Sequence, residues 1–210
     1  MLNINKNLSR RIYIRHADKN YSNGESEIYK HDPGITKNGV ESSKNVANCL
    51  IEKWGKPDIV VTSPYRRTRE TVQIMLSVIK EKDNIQVYID PEISEYLGNH
   101  RDSPMDVTDD TMIYNPPHPE SFKEMKNRVK RHHNHIVNYI DTIPDNKVIW
   151  IITHGLVIKQ IASFIGLKMA KEFATLTCLS IMEFNNITDT EILLFHDQTN
   201  ESDDNERIVW

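Results

Sequence analysis

The sequence alternates between two hydrophobic patterns along most of its length. Short runs rich in β-branched side chains alternate with longer segments in which apolar residues recur at helical spacing. The helical segments at 40–51 and 122–140 each leave a polar opposite face. The predicted buried strands are residues 11–14, 58–63, 85–90, 147–153, 179–184 and 191–195. This alternation predicts an α/β fold, with a mostly parallel central sheet of about six strands and helices on both faces.

Local signals refine this outline. Thr36 precedes the first long helix and is the expected N-cap, because its hydroxyl can accept from the free N–H groups there. A short Asn-containing segment separates the last two strands and predicts a hairpin at one edge of the sheet. We expect a single domain over 1–197, with a loop or lid at about 98–119 where four prolines occur. Residues 198–210 form an acidic C-terminal tail.

Composition excludes several kinds of partner. The chain carries a net charge of -4 and lacks runs of Lys and Arg interleaved with aromatics, so neither nucleic acid nor an anionic membrane is expected as a partner. Cys49 and Cys178 lie far apart and outside any CxxC motif, which favours a reducing compartment. Met1 to Arg11 lacks the apolar core of a signal peptide. We therefore expect a cytoplasmic protein, for which a homodimer is compatible with the sequence but not required by it.

Polar residues follow several of the predicted strands directly. Arg15 and His16 follow the first strand, the "RRTR" segment at 66–69 follows the second, and His154 follows the fourth. Glu95 comes shortly after the third strand. In an open α/β sheet, ligands bind beyond the carboxyl ends of the strands. We therefore expect these side chains to converge on one small volume.

This set of residue types suits phosphoryl transfer. Arginine guanidinium groups match the oxygens of phosphate, and helix N-termini add favourable dipoles and N–H donors. An imidazole among cations stays neutral and can attack phosphorus, while a carboxylic acid can protonate the leaving oxygen. The pattern predicts a reaction through phosphohistidine, with an optimum on the acid side of neutrality. We expect no metal, because the cationic side chains already supply the charge stabilisation.

Six ordered segments resemble the histidine phosphatase superfamily, in its phosphoglycerate mutase-like branch, branch 1. The resemblance covers roughly residues 10–185 and implies the same α/β fold. The order of the segments is much more specific than any one of them. They are "IRHADK", "DPGITKNGVESS", "SPYRRTRETVQIM", "PEISEYLG", "HPESFKEMKNRV" and "ITHGLVIKQIA".

The resemblance implies a role for each matching residue. His16 would be the phosphorylated nucleophile, Glu95 the acid and base, and His154 a second catalytic histidine that also binds the phosphate. Arg15 and Arg67 would bind the phosphate as well.

Some positions depart from the family pattern. Lys19 falls where some related phosphatases carry a further arginine, so it is a candidate phosphate-binding residue. Ala17 replaces the usual glycine after the nucleophile, and Thr68 replaces an alanine. Arg66 and Arg69 are expected to be solvated or to support the site without binding phosphate.

The function is left with alternatives. The "SEYLGN" segment and the short lid favour a phosphatase over a cofactor-dependent phosphoglycerate mutase, and a non-catalytic phosphate-binding protein also stays open. The substrate would be a phosphorylated small molecule or a phosphoprotein, and no cofactor is implied. Zinc binding at "RHHNH", where His132 and His135 could share a helix face, is weighed against a solvated helix face, which we favour.

Overall fold

The central sheet has six strands within the part of the chain that the structure describes. This computed structural model describes residues 9–19, 32–98, 108–109, 112–113, 119–140, 146–167, 176–184 and 187–195. The sheet order is β3-β2-β6-β1-β7-β8, and β4 and β5 form a separate two-stranded ladder. In chain order the strands are β1 (Arg10–Arg15), β2 (Ile59–Thr62), β3 (Gln86–Ile89), β4 (Thr108–Asp109), β5 (Met112–Ile113), β6 (Val148–Thr153), β7 (Leu176–Phe184) and β8 (Ile187–Phe195).

The sheet is mostly parallel, as predicted. Strands β3, β2, β6 and β1 run parallel to one another, whereas β7 pairs antiparallel with β1. Strand β8 pairs antiparallel with β7 from Phe184 and Ile187 outwards, which confirms the predicted hairpin at a sheet edge. Four parallel strands therefore end at one edge of the sheet, where the sequence places its polar residues.

Among the described residues, four α-helices connect the strands. They are α1 (Lys37–Trp54), α2 (Arg66–Ser77), α3 (Phe122–Ile140) and α4 (Gly155–Phe164), and a short 3-10 helix spans Pro91–Ile93. The hydroxyl oxygen of Thr36 accepts a hydrogen bond from the backbone N–H of Gly39 at 2.9 Å, which confirms Thr36 as the N-cap of α1. This cap satisfies one of the donors that a helix N-terminus otherwise leaves free.

The helices cover both faces of the sheet. Ile12 and Ile14 of β1 pack with residues of α1 and α2, whereas Tyr13, between them, packs with residues of α3 and α4. The same alternation places Trp150 of β6 with α1 and α2 and Ile151 with α3 and α4. Side chains of a strand alternate between faces, so one strand supplies two cores. Each fully buried Ile contributes about 1.5–3 kcal/mol.

Strand β3 differs from the prediction. Residues 85–90 were predicted as a buried strand, but Val87 and Tyr88 are each 49% exposed and Ile89 is 36% exposed. The reason is its position, because within the described part of the chain β3 lies at the end of the sheet and has β2 as its one neighbour. The β-branched composition identified the strand correctly but could not distinguish an edge position from a central one.

The interpretation of the "RHHNH" segment as a solvated helix face is wrong for His132. This side chain is buried, and its Nδ1 lies 2.6 Å from Asp90 Oδ2. Its ring also contacts Tyr13 edge-on, with the ring centroids 6.0 Å apart. By contrast, His135 is exposed. The segment therefore carries one core histidine.

Other predictions concern parts of the chain that the structure describes incompletely. Most of the expected lid at 98–119 lies outside the described residues, although β4 and β5 pair within it. The acidic tail at 198–210 also lies outside them, so the domain boundaries stay a prediction. Among the described residues, no helix is both long enough and apolar enough to cross a membrane.

Candidate active site

Two histidines meet at the carboxyl edge of the sheet. His16 directly follows β1 and His154 directly follows β6, and these two parallel strands are neighbours. The backbone N–H of His16 donates to the carbonyl oxygen of Thr153 at 2.9 Å, which extends the ladder by one bond. The imidazole rings lie 5.2 Å apart between centroids, in an edge-to-face arrangement. Adjacent parallel strands thus bring together residues that are far apart in the sequence.

His16 has the properties of a neutral nucleophile. Its Nδ1 lies 2.7 Å from the carbonyl oxygen of Ala17, and a carbonyl only accepts, so Nδ1 carries the proton and Nε2 the lone pair. Burial lowers the pKa of His16 well below its ordinary value, and the charges of His154 and Arg67 lower it further. The backbone N–H of Ala17 donates to Thr71 Oγ1 at 3.1 Å, which ties the segment to α2. The imidazole is therefore neutral at neutral pH, with its proton on Nδ1 and a free lone pair on Nε2.

Arg67 lies at the N-terminal end of α2, and its guanidinium lies close to three polar side chains in the pocket. Its Nη2 lies 3.3 Å from His154 Nδ1 and 3.5 Å from Glu95 Oε2. Its Nη1 lies 3.3 Å from Asp32 Oδ1. The guanidinium also lies over the ring of Tyr65, 4.4 Å from its centroid. This arrangement holds a buried planar fork of donors beside His154, which suits a phosphate oxygen pair.

Glu95, whose side chain is 21% exposed, pairs with the fully buried His154. Burial alone would raise the pKa of Glu95, but its interactions with His154 and then Arg67 outweigh burial and hold this pKa well below its usual range. Burial lowers the pKa of His154 to about 4, although Glu95 opposes that shift. At neutral pH, Glu95 is therefore a carboxylate and His154 is neutral. In the tautomer that suits both partners, His154 Nδ1–H donates to Glu95 Oε2 at 3.2 Å and Nε2 accepts from Ser63 Oγ at 2.9 Å.

Arg15 and Lys19 lie on the segment that carries His16. A side-chain carbon at Gly155, the first residue of α4, would meet Arg15 Nε at 3.6 Å, so the arginine lies beside the N-terminus of that helix. Lys19 is half-buried, and its backbone forms an isolated bridge with Ile35. The structure thus brings Arg15 next to the residue that follows His154. The phosphate-binding role of Lys19 stays a prediction.

Sequence reasoning missed three residues that shape this pocket. Asp32 contacts Arg67 through Oδ1 and accepts from the backbone N–H of Arg66 at 2.8 Å through Oδ2. Ser63 contacts His154, and the Tyr65 ring lies 5.0 Å from the His154 ring between centroids. A signal was present, because all three lie inside the "DPGITKNGVESS" and "SPYRRTRETVQIM" segments. These residues orient the arginine and the histidine, a role that the segments alone did not reveal.

The same pocket contains groups that can ligate a metal. His16, Glu95 and His154 each offer one ligand atom, and these atoms lie within 4.8 Å of one another. Two neutral imidazoles and a carboxylate are a common ligand set for transition metals. However, the guanidinium of Arg67 lies within 3.5 Å of both Glu95 and His154, and its positive charge opposes a cation there. The donor set therefore fits an anion better than a metal ion.

Comparison with known proteins identifies the family of this chain. The family model of the histidine phosphatase superfamily (branch 1) matches residues 12–197, so the chain belongs to that superfamily. Direct sequence comparison with curated proteins gives no significant match.

Several solved structures share the fold. The α-ribazole phosphatase from Shigella flexneri is 19% identical with a TM-score of 0.60, over 92% of this chain and 100% of that one. A phosphoglycerate mutase from Bacillus anthracis is 17% identical with a TM-score of 0.64, over 88% and 92% of the two chains. The protein histidine phosphatase SixA, solved with tungstate, is 16% identical with a TM-score of 0.55, over 87% and 94%. This confirms the phosphoglycerate mutase-like architecture.

Proposed function

We propose that this protein is a phosphatase that hydrolyses a phosphomonoester through a phosphohistidine on His16, with Glu95 as acid and base. One observation carries the proposal. The buried, neutral imidazole of His16 shares one pocket with a carboxylate and a second imidazole, and the guanidinium of Arg67 lies against both of these groups. Nucleophile, acid and cation are the parts that metal-free phosphoryl transfer needs.

In the first step, Nε2 of His16 attacks phosphorus in line with the leaving oxygen. The N–P bond forms as the P–O bond to the leaving group breaks, and Glu95 gives its proton to the departing oxygen. Arg15, Arg67 and His154 stabilise the three remaining oxygens, as preorganised donors do where negative charge develops. The products of this step are the free alcohol and phosphohistidine.

The proton for the first step arrives with the substrate. Glu95 is a carboxylate in the free protein because His154 and Arg67 hold its pKa low. A phosphate monoanion that binds Arg67 offsets that positive charge and can pass its proton to Glu95. The complex of the monoanion with ionised Glu95 contains the same number of protons as the complex of the dianion with protonated Glu95. Binding of the monoanion therefore supplies the proton that Glu95 needs. We therefore keep the expectation of an optimum on the acid side of neutrality.

In the second step, water replaces His16 at phosphorus. Glu95, now a carboxylate again, takes a proton from the water as its oxygen bonds to phosphorus and the N–P bond breaks. Inorganic phosphate leaves, and His16 returns to its neutral form. The pocket already has a guanidinium where other phosphoryl-transfer enzymes place a metal ion, so we propose that no metal takes part.

The substrate class follows from the same site. We propose that its substrate is a phosphorylated small molecule or a phosphoprotein. We also propose that the protein acts in the cytoplasm. The likeness to proteins described as an α-ribazole phosphatase and a protein histidine phosphatase supports hydrolysis as the reaction. It favours neither kind of substrate over the other.

The test is hydrolysis of p-nitrophenyl phosphate in EDTA by the wild type and by His16→Ala, with trapping of acid-labile phosphoenzyme alongside. Turnover and label that both disappear in the variant are the expected result. Label without release of phosphate to water would instead favour the mutase. Phosphate binding with neither label nor turnover, across a panel of esters, would favour the non-catalytic binding protein.

A further inference from the structure

Glu95 lies on a segment without regular backbone hydrogen bonding. It follows the 3-10 helix Pro91–Ile93 and belongs to neither a strand nor an α-helix. A carboxylate that must protonate a leaving group has to be held close to that oxygen, because misplacement of about 1 Å can cost 100-fold in rate. The contacts that hold this segment therefore matter to the reaction.

Arg128 of α3 provides two of these contacts. Its Nη1 donates to the carbonyl oxygen of Glu92 at 2.8 Å, and its Nη2 donates to the carbonyl oxygen of Glu95 itself at 3.3 Å. The guanidinium thus spans the turn from Glu92 to Glu95. Both of these bonds are to backbone carbonyls, whereas the Glu95 carboxylate lies beside His154 and Arg67.

A buried carboxylate orients this guanidinium. Glu120 accepts from Arg128 Nε at 2.6 Å and from Nη2 at 2.9 Å, a two-point pairing, and both side chains are only 3% exposed. Arg128 also interrupts the apolar face of α3, between the buried Met125 and Val129. An arginine in a core stripe is costly to bury unless it is paired and fully hydrogen-bonded. Its place in the core is explained by the turn that it holds.

We propose that Arg128 is a positioning residue that sets the place of the Glu95 carboxylate for proton transfer to the leaving group. This inference rests on the proposed function of Glu95 as the acid. Arg128 acts through the backbone of Glu95 and does not touch the substrate. Its loss moves the acid while leaving His16, Arg67 and His154 in place.

This role has a specific kinetic signature. A displaced general acid slows esters whose leaving alcohol is a poor leaving group, because these need protonation. In kcat/KM, which covers the steps up to release of the alcohol, it spares p-nitrophenyl phosphate, whose leaving group departs as a stable anion. Glu95 is also the base of the second step, which both esters share, so kcat does not separate the two substrates. A general loss of structure slows both substrates equally.

The experiment measures kcat and KM for p-nitrophenyl phosphate and for an alkyl phosphate with Arg128→Met and Glu95→Gln. Arg128→Met is expected to lower kcat/KM for the alkyl phosphate by about 30-fold, with less than about threefold change in kcat/KM for p-nitrophenyl phosphate. Arg128→Lys is expected to recover only part of the rate, because one ammonium cannot span Glu120 and both carbonyls.

Two further variants guard against loss of folding. The double variant Arg128→Met/Glu120→Leu removes both buried charges, a change that proteins often tolerate without loss of stability. It must show the same selectivity for the alkyl phosphate as Arg128→Met. Arg131→Gln, which removes an exposed ion pair to Glu92 on the same turn, is the matched control and is expected to leave both rates unchanged.

The outcomes separate the two proposals. If Glu95→Gln is selective for the alkyl phosphate but the double variant slows both esters equally, Arg128 is structural and the positioning role is wrong. If Glu95→Gln itself shows no selectivity, Glu95 is not the acid and the proposed function fails first. Selective loss in Glu95→Gln, in Arg128→Met and in the double variant, with phosphoenzyme formation retained, supports the positioning role.

Discussion

The histidine side and the glutamate side of the pocket are held by different kinds of contact. His16 and His154 directly follow neighbouring parallel strands, and a backbone bond from His16 to Thr153 continues the ladder beneath them. Glu95 instead lies on a turn whose position depends on side chains, chiefly Arg128. Backbone hydrogen bonds between strands do not depend on the identity of the side chains. A turn that is held by one buried side chain, by contrast, loses its support when that residue is substituted. The glutamate side should therefore be the easier of the two to displace by mutation.

The largest effect is expected when a reacting group itself is removed, rather than a group that only positions it. His16→Ala deletes the nucleophile but leaves the backbone bond to Thr153 intact, so folding should be preserved. We expect kcat to fall by at least about 1,000-fold, as for other enzymes that lose a covalent nucleophile. His135→Ala, an exposed histidine on α3, is the control and should keep wild-type activity. Substantial turnover by the His16 variant would contradict its role.

Arg67 connects the two sides, because its guanidinium contacts both His154 and Glu95. We expect Arg67→Ala to lower kcat/KM by about 100- to 1,000-fold, and Arg67→Lys to recover little of it, because lysine cannot present a planar fork. Steady-state kinetics with competitive inhibition by inorganic phosphate measures both effects. The same Arg-to-Lys change at Arg69 serves as the control. Full activity in Arg67→Lys would show that a point charge is sufficient.

The pH dependence compares the protonation states of the two sides. Burial lowers the pKa of His16, so the nucleophile stays neutral as pH falls through 6.5, the ordinary pKa of a histidine side chain. Glu95 is ionised throughout this range, so the required proton enters with an alkyl phosphate whose second pKa is about 6. We expect kcat/KM to rise by about 50-fold from pH 8 to pH 6, following the fraction of monoanion. If kcat/KM instead declined on acidification with a midpoint near 6.5, His16 would be gaining a proton at its ordinary pKa, and the claim that it stays neutral would be wrong.

The smallest expected effect comes from a contact between the two sides. Thr153 Oγ1 donates to the carbonyl oxygen of Ile93 at 2.7 Å, on the turn that precedes Glu95. Thr153→Val keeps the backbone bond to His16 but leaves that buried carbonyl without this donor, at a cost of about 1–3 kcal/mol. We expect less than about tenfold loss of kcat/KM, confined to alkyl phosphates. Thermal unfolding together with kinetics on both esters checks this, and equal loss on both esters would argue against a turn-specific effect.

The sequence predicted the histidine side better than the glutamate side. Strand ends can be located from β-branched runs, and parallel strands must deliver His16 and His154 to one edge. The exposure of β3 was not predictable in this way, because the same composition serves edge and central strands. The pairing of His132 with Asp90 and the contacts of Arg128 join residues far apart in the chain. Arg128 and Glu120 both lie in the "HPESFKEMKNRV" segment, and Arg128 interrupts the apolar stripe of α3, but neither signal revealed the contact with the turn.

The most direct test of the account is to locate the phosphoryl group during turnover. The wild type is mixed with ester labelled in its phosphoryl group, quenched in alkali within one turnover, and digested so that the peptide containing His16 can be isolated. We expect up to one label per chain on that peptide, stable in alkali, released by acid, and lost at least as fast as kcat. Turnover without any label on that time scale, or label on a different residue, would contradict catalysis through His16.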